Sequence, residues 1–270
     1  MVNSDGKNMN VVYGFFRILL KLMAQKPDYL LITRDLPAPT QRSEIDSEYK
    51  ANRPPAPDDF KQQIPLVHET VQQLGIPNVG APYEADDVIA TIAKRLASQD
   101  ITTFIVSSDK DLKQLLSKSV FVFDPMKDAV YSEHDFQKDF FEPKYMLDYL
   151  SLIGDTADNI KIHGIGPKSA SYLIKTYRSL ENIYDHIEEI SPSVQKKLIA
   201  GKASGIHSKR LVELMHVDIL DTLSLEDFKI KPNIPMYRQI LVNHLGFESI
   251  GKVLDGLKNV YATPTQESLF

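Results

Sequence analysis

YEADDVIATIAKRLASQDITTFIVSSD, Tyr83 to Asp109, decides the fold class. Residues 84–98 have the apolar spacing of an amphipathic helix and open on three carboxylates, Glu84, Asp86 and Asp87. TTFIVSSD (102–109) follows, a β-branched run that ends on an aspartate. The same alternation surrounds it. Val11, Val12, Phe15, Phe16, Leu19, Leu20 and Met23 predict a helix over 10–25, and YLLITRD (29–35) reads as a buried strand. Helical patterns return at 60–74 and 110–117, SVFVFDP (119–125) is a further strand, and AVYS (129–132) is a hairpin partner or a short extension. Strands alternating with helices predict an α/β fold with a mostly parallel central sheet covered by helices on both faces. From 142 onward the pattern is helical, with turns expected at Gly164–Pro167 and around Gly201–Gly205. The expected organisation is an α/β domain over 1–140, a helical domain over 141–260 and a tail over 261–270.

Composition narrows the chemistry. With no cysteine and seven scattered histidines among 270 residues, any metal would be held by oxygen. MVNSDGKNMN is polar where a signal peptide would be apolar, and no run approaches a membrane span, so the cytosol is expected. A net charge of −5 argues at first against a polyanionic partner. Eight clustered acids reverse that reading, because the remainder of the chain is then net positive.

In open parallel sheets ligands bind outside the carboxyl ends of the strands, and the acids fall there. Asp35 ends one strand and Asp109 another, Asp111 follows in SSDKDL, and GDTADN adds Asp155 and Asp158, which share a face if that turn is helical. Each group also reads as helix punctuation: first-turn acids favour the macrodipole, and Asp109 and Asp155 would serve as N-caps. Eight converging carboxylates, however, repel one another unless divalent cations neutralise them, and magnesium suits such a set. Two such ions about 4 Å apart serve phosphodiester cleavage, so the pattern points to metal-assisted hydrolysis of nucleic acid. Between the strands lies LPAPTQRSEIDSEYKANRPPAPDD (36–59), with little periodicity, five prolines and the bases Arg42, Lys50 and Arg53. By itself it reads equally as a solvated loop or a functional segment.

RDLPAPTQR, YKANRPP, YEADDVIAT, SSDKDLKQLL, GDTADNI and GIGPKSA resemble, in order and spacing, the 5′ nuclease (flap endonuclease-like) domain of bacterial DNA polymerase I, from about Asp5 to about Leu257. The resemblance implies a stand-alone, PIN-like 5′ nuclease fold with a C-terminal helix-three-turn-helix DNA-binding region. It implies a 5′-to-3′ exonuclease and 5′-flap endonuclease acting on DNA with flaps or nicks and on RNA–DNA primers, in replication and repair. Asp35, Glu84, Asp86, Asp87, Asp109, Asp111, Asp155 and Asp158 would hold two Mg²⁺ or Mn²⁺ ions. Arg42, Lys50 and Arg53 would belong to a helical arch over the 5′ strand, with Lys50 assisting at the scissile phosphate. HGIGPKSASYLIK (163–175) is similar to the family's glycine hairpin, where Gly164, Gly166 and Lys168 would meet a duplex phosphate and a potassium ion can sit. Outside that context a GxG is a tight turn. Lys161 replaces a usual proline and adds positive charge near the DNA.

Gln266, Ser268, Leu269 and Phe270 resemble a sliding-clamp-binding pentapeptide, with Glu267 departing from its usual leucine. A monomer in the bacterial cytosol, associated with the nucleoid, is expected. The family opens with an apolar strand ending in Ile-Asp-Gly, whose aspartate is a metal ligand. Asp5-Gly6 matches a later region of the family instead. The resemblance therefore implies a start codon set too far downstream or a domain short of one central strand and one ligand. The former is preferred, since a missing central strand leaves unpaired edges. Two other functions fit parts of the pattern: a DNA-binding module that has lost catalysis, and a small-molecule phosphatase, against which the basic segment and glycine hairpin argue.

Overall fold

A computed structural model describes residues 6–37, 40–160 and 164–262. Lys161 and the tail motif at Gln266, Ser268, Leu269 and Phe270 lie outside the described residues.

The chain forms two compact units by passing back and forth between them. The first contains Met1–Arg34, Pro55–Val79 and Asp221–Phe270, and the second contains Asp35–Pro54 and Gly80–Leu220. Neither is the continuous 1–140 or 141–260 segment that the composition suggests.

In the first unit, helix α1 (Asn10–Met23) buries Val12, Phe16, Leu19, Leu20 and Met23 on one stripe. That stripe belongs to a core shared with Val67 and Val71 of α3 (Asp58–Gln73) and with Tyr237, Leu241, Phe247 and Leu254 from the C-terminal helices. Each side chain so buried contributes about 1.5–3 kcal/mol. The last element, α11 (Ile250–Ala262), is tied to α1 by the Tyr261 hydroxyl, which donates to the Met23 carbonyl.

The second unit carries every described candidate acid. Short strands lead into it: β1 (Ile32–Asp35) and β2 (Asn78–Ala81) make one two-stranded sheet. Strand β2 escapes the sequence reading because Pro77 and Gly80 interrupt its apolar character. Helix α4 (Ala85–Ala97) has Asp86 and Asp87 in its first turn and Lys94 and Arg95 in its last, both favourable to its dipole. Strands β3 (Thr103–Val106), β4 (Val120–Asp124) and β5 (Ala129–Tyr131) form a second sheet, parallel between β3 and β4 and antiparallel between β4 and β5. Among the described residues the strands fall into two hydrogen-bonded sheets within the expected α/β arrangement. Ile105, Val120 and Val122 of the second sheet enter the core, while Phe104, 55% exposed, stacks on Phe121 at 5.2 Å and Val130 is 53% exposed.

The helical remainder follows the predicted pattern with two corrections. Helix α9 (Pro192–Val212) runs unbroken through Gly201 and Gly205, where turns were expected. Leu198, Gly201, Gly205, Ser208, Leu211 and Val212 are its buried positions, so the glycines are the small residues of its packed face rather than chain breaks. The expected helix at 110–117 is a tighter 3₁₀ turn, Asp111–Leu115. Around α9 pack α6 (Met146–Ile153), α7 (Pro167–Tyr177) and α8 (Leu180–Asp185), in one core with β3 and β4. Asp148 of α6 is 7% exposed and accepts from Leu180 N and from Lys209 Nζ at 2.7 Å, which ties α6, α8 and α9 together.

Candidate metal centre

Strand β3 ends at Val106, and Ser107 N continues its ladder by donating to Phe123 O. The chain then leaves the sheet as Ser108-Asp109-Lys110-Asp111. Ser107 Oγ accepts from Asp109 N, and Asp109 Oδ1 accepts from Asp111 N at 2.8 Å. Asp109 therefore closes a short Asx turn before the 3₁₀ turn, whose N-cap is Lys110 rather than Asp109.

The second pair arrives on a loop. Asp155 and Ile160 close a two-bonded bridge, and Asp155 Oδ1 accepts from Ala157 N at 2.9 Å. The segment is a closed turn and not the helical turn that the i,i+3 spacing suggested. It still delivers Asp155 and Asp158 to the same place. A cleft of ≈ 520 Å³ is lined by Asp86, Asp109, Asp111, Asp155 and Asp158, together with Arg53 and Lys110. Asp35, the last residue of β1, accepts from Ala85 N at 2.7 Å and so stands beside the start of α4. Glu84, at the N-cap of that helix, is 7% exposed.

The charges are mutually unfavourable. Burial, then Asp109 and Glu84, push Asp86 up to about 6 against the opposing pull of Lys50. Burial and Asp109 push Asp111 up to about 7, with Asp155 and Asp158 adding to the effect. Asp155 goes the other way: burial works against its charge, but the Lys110 ammonium at 2.9 Å and the Ala157 N–H hold it below the usual range.

Basic side chains face these acids. Lys50 Nζ lies 2.7 Å from Glu84 Oε1, and Arg53 Nε donates to Asp158 Oδ1 at 2.6 Å. Backbone bonds fix this stretch on the acidic loop, because Lys50 N donates to Asp158 O and Asn159 Nδ2 donates to Glu48 O. Lys50 holds a left-handed φ of 60°, an uncommon conformation for a side chain of its length.

Two expected members of the site have other work. Arg42 lies on α2 (Gln41–Ile45) and is 3% exposed, and Asp87 is 1% exposed. Arg42 Nη1 and Nη2 grip the two Asp87 oxygens at 2.6 and 2.8 Å. Asp87 also accepts from Glu84 N and Met215 N, so four donors occupy its oxygens. Asp87 and Arg42 thus pair with each other here and do not line the acid cleft. The sequence could not distinguish an arginine in a proline-rich segment that faces solvent from one that pairs with a buried carboxylate. Two contributors were missed as well. Tyr49 donates to Glu84 Oε2 at 3.2 Å, and Lys110 sits between the two acids of SSDKDL. Their positions beside Lys50 and inside the acidic motif were the available signals.

The glycine hairpin adjoins the acids. Gly164 adopts φ +71°, and Gly166 is the N-cap of α7, whose first turn carries exposed Lys168. Gly164, Ile165, Gly166 and Pro167 line a second cleft of ≈ 350 Å³ that shares Lys110 and Asp155 with the first. A Cβ on Gly166 would meet nothing within 4 Å, which leaves its backbone open to a ligand.

The residues fit divalent ions. The donors are carboxylate oxygens, the choice of hard cations, and Asp111 Oδ1 is buried with no hydrogen-bond partner. Asp86, Asp109, Asp111, Asp155 and Asp158 in the cleft, with Asp35 and Glu84 at the start of α4, are the acids that would hold them; among the described residues the group with ligand atoms within 4.8 Å of one another is instead exposed His216, Asp218 and Asp221.

Two family models match consecutive parts of the chain: the 5′-3′ exonuclease N-terminal resolvase-like domain over residues 1–141 and the 5′-3′ exonuclease C-terminal SAM fold over 141–235. The chain belongs to the 5′-3′ exonuclease family. It is 40% identical over 273 residues to a 5′-3′ exonuclease of Aquifex aeolicus, covering 99% of this chain and 91% of that one. It is 37% identical to the thermostable DNA polymerase I of Thermus thermophilus, covering 81% of this chain but 26% of the polymerase. Among solved structures, T5 5′-exonuclease with bound zinc superposes with a TM-score of 0.66 at 18% identity, covering 96% of this chain and 93% of that one. The catalytic core of Rad2 in complex with a DNA substrate gives 0.61 at 21%, covering 95% and 86%. These likenesses fix the fold as that of the 5′ nucleases, an α/β part with a helical C-terminal part. No helix among the described residues is long and apolar enough to cross a membrane.

Proposed function

We propose that this chain hydrolyses DNA phosphodiesters as a Mg²⁺-dependent 5′-to-3′ exonuclease and 5′-flap endonuclease, in RNA-primer removal, replication and repair. The observation that carries the reading is the cleft in which five aspartates meet, two of them raised toward neutrality and one with a buried oxygen that nothing among the described residues satisfies. Family membership supports it, as do the metal ions and DNA named with the T5 and Rad2 structures.

The seven acids would hold two divalent ions. The chemistry that such a pair supplies is activation of water and stabilisation of the leaving oxygen. Arg53, which lines the cleft, and Lys50, paired with Glu84, would contact the scissile phosphate, each exchanging a carboxylate partner for a phosphate oxygen. Gly164, Gly166 and Lys168 anchor duplex phosphates beside the acids, with a potassium ion as the hairpin's further ligand, and the charge of Lys161 is proposed to favour the same DNA. Residues 141–260 thus supply the duplex-binding part. Residues 266–270 are proposed to dock on a sliding clamp. The protein acts as a monomer in the cytosol, at the nucleoid.

The test is incubation of a labelled 5′-flap duplex with the chain in Mg²⁺. Cleavage at the flap junction, abolished in Asp109→Ala and in EDTA, is expected. Flap binding without cleavage by the unmodified chain would replace this reading with that of a DNA-binding module.

A further inference from the structure

We propose that Arg42 and Asp87 are positioning residues that hold Glu84 in the geometry needed to ligate metal; the inference rests on the nuclease reading above. Every N–H of the Arg42 guanidinium has a partner. Nε donates to Leu211 O at 2.7 Å, Nη1 donates to Asp87 Oδ2 and to Glu84 Oε2 at 3.3 Å, and Nη2 donates to Asp87 Oδ1 and to Glu213 O at 2.7 Å. Arginine has five such donors in a rigid fork, so the group has no freedom left to rotate.

The two oxygens of Glu84 are consequently unequal. Oε2 receives both Arg42 Nη1 and the Tyr49 hydroxyl, whereas Oε1 receives the part-exposed Lys50 ammonium. Oε1 is thus the oxygen assigned to the metal ion, once Lys50 turns to another partner. Asp87 acts through Arg42: it fixes the plane of the fork and, by accepting from Glu84 N, fixes the backbone from which Glu84 projects. The pair also fastens α2, the start of the basic segment, to the first turn of α4 and to the chain after α9. Partners of a ligating carboxylate set its orientation, and losing one lowers metal affinity about 10–100-fold.

Asp87→Asn leaves Arg42 a buried charge with a weakened partner and destabilises the fold. Two milder variants keep the question open to refutation. Arg42→Lys retains the charge and loses the fork, and Tyr49→Phe removes only the second donor to Oε2. Asp148→Asn breaks a comparable buried ion pair elsewhere in the same unit and serves as the structural control. Mn²⁺ binding is titrated without DNA by the paramagnetic signal of the free ion, with unfolding followed alongside, and flap cleavage is measured across Mg²⁺ concentrations. Arg42→Lys should bind Mn²⁺ roughly tenfold more weakly, with Tyr49→Phe shifted the same way. Cleavage by both should recover at high Mg²⁺, and Asp148→Asn should bind Mn²⁺ as the parent does. Unchanged Mn²⁺ affinity in folded Arg42→Lys and Tyr49→Phe, or an equal loss in Asp148→Asn, would overturn the positioning role alone. A parent chain that binds no Mn²⁺ and cuts no flap would overturn the nuclease reading and this inference with it.

Discussion

Burial and the neighbouring carboxylates raise Asp111 to about 7 and Asp86 to about 6, against an ordinary value near ~4 in an unfolded chain. Between those values the folded, metal-free protein holds protons that the unfolded chain has released. The destabilisation is therefore fully present above pH 7 and is relieved as pH falls through 7 and 6. Denaturant unfolding in EDTA should show greater stability at pH 5.5 than at pH 8, with saturating Mg²⁺ removing the difference. Asp111→Asn should flatten the slope and stabilise the metal-free protein at pH 8 by on the order of 2–4 kcal/mol; a variant less stable than its parent would contradict the assigned repulsion. At this scale the sequence displays which residues are acids and where on the strand ends they fall. It cannot display partners. Asp87 and Asp86 are adjacent and chemically identical, and only the approach of Arg42 and Met215 N makes one structural while the other faces the cleft.

At the scale of elements, periodicity was sufficient for α1, α4, β3 and β4, because each buries one face or stripe against its unit's core. It failed where a residue's local tendency was overridden by packing. In α9, Gly201 and Gly205 read as breakers, yet they lie buried within a continuous helix. The fit at Gly205 is not tight: an added Cβ would lie 3.8 Å from Tyr184 Oη and 4.0 Å from Leu180 Cδ2, ordinary contact distances. Gly205→Ala should consequently raise stability by about 0.5–1 kcal/mol through the reduced entropy of the unfolded chain, read as a higher thermal midpoint. A lower midpoint would mean that the helix approaches its neighbours more closely than those distances indicate. The loop carrying Asp155 and Asp158 illustrates the converse: spacing placed the two acids together correctly, although a closed turn rather than a helix does so.

Across the whole molecule, the seven remaining acids come from four stretches of chain, at 35, 84–86, 109–111 and 155–158, and all belong to the same compact unit. Their assembly was legible as a set of strand ends and motif spacings. The division into two sheets and the interleaving of the units were not, since both depend on contacts between stretches far apart in sequence. The central claim is that these carboxylates form a divalent-metal centre. Anomalous X-ray diffraction from crystals of the chain grown with Mn²⁺ tests it most directly. Two peaks about 4 Å apart within the cleft lined by Asp86, Asp109, Asp111, Asp155 and Asp158 are predicted. A fully occupied Mn²⁺ soak that leaves the cleft without an anomalous peak would contradict it.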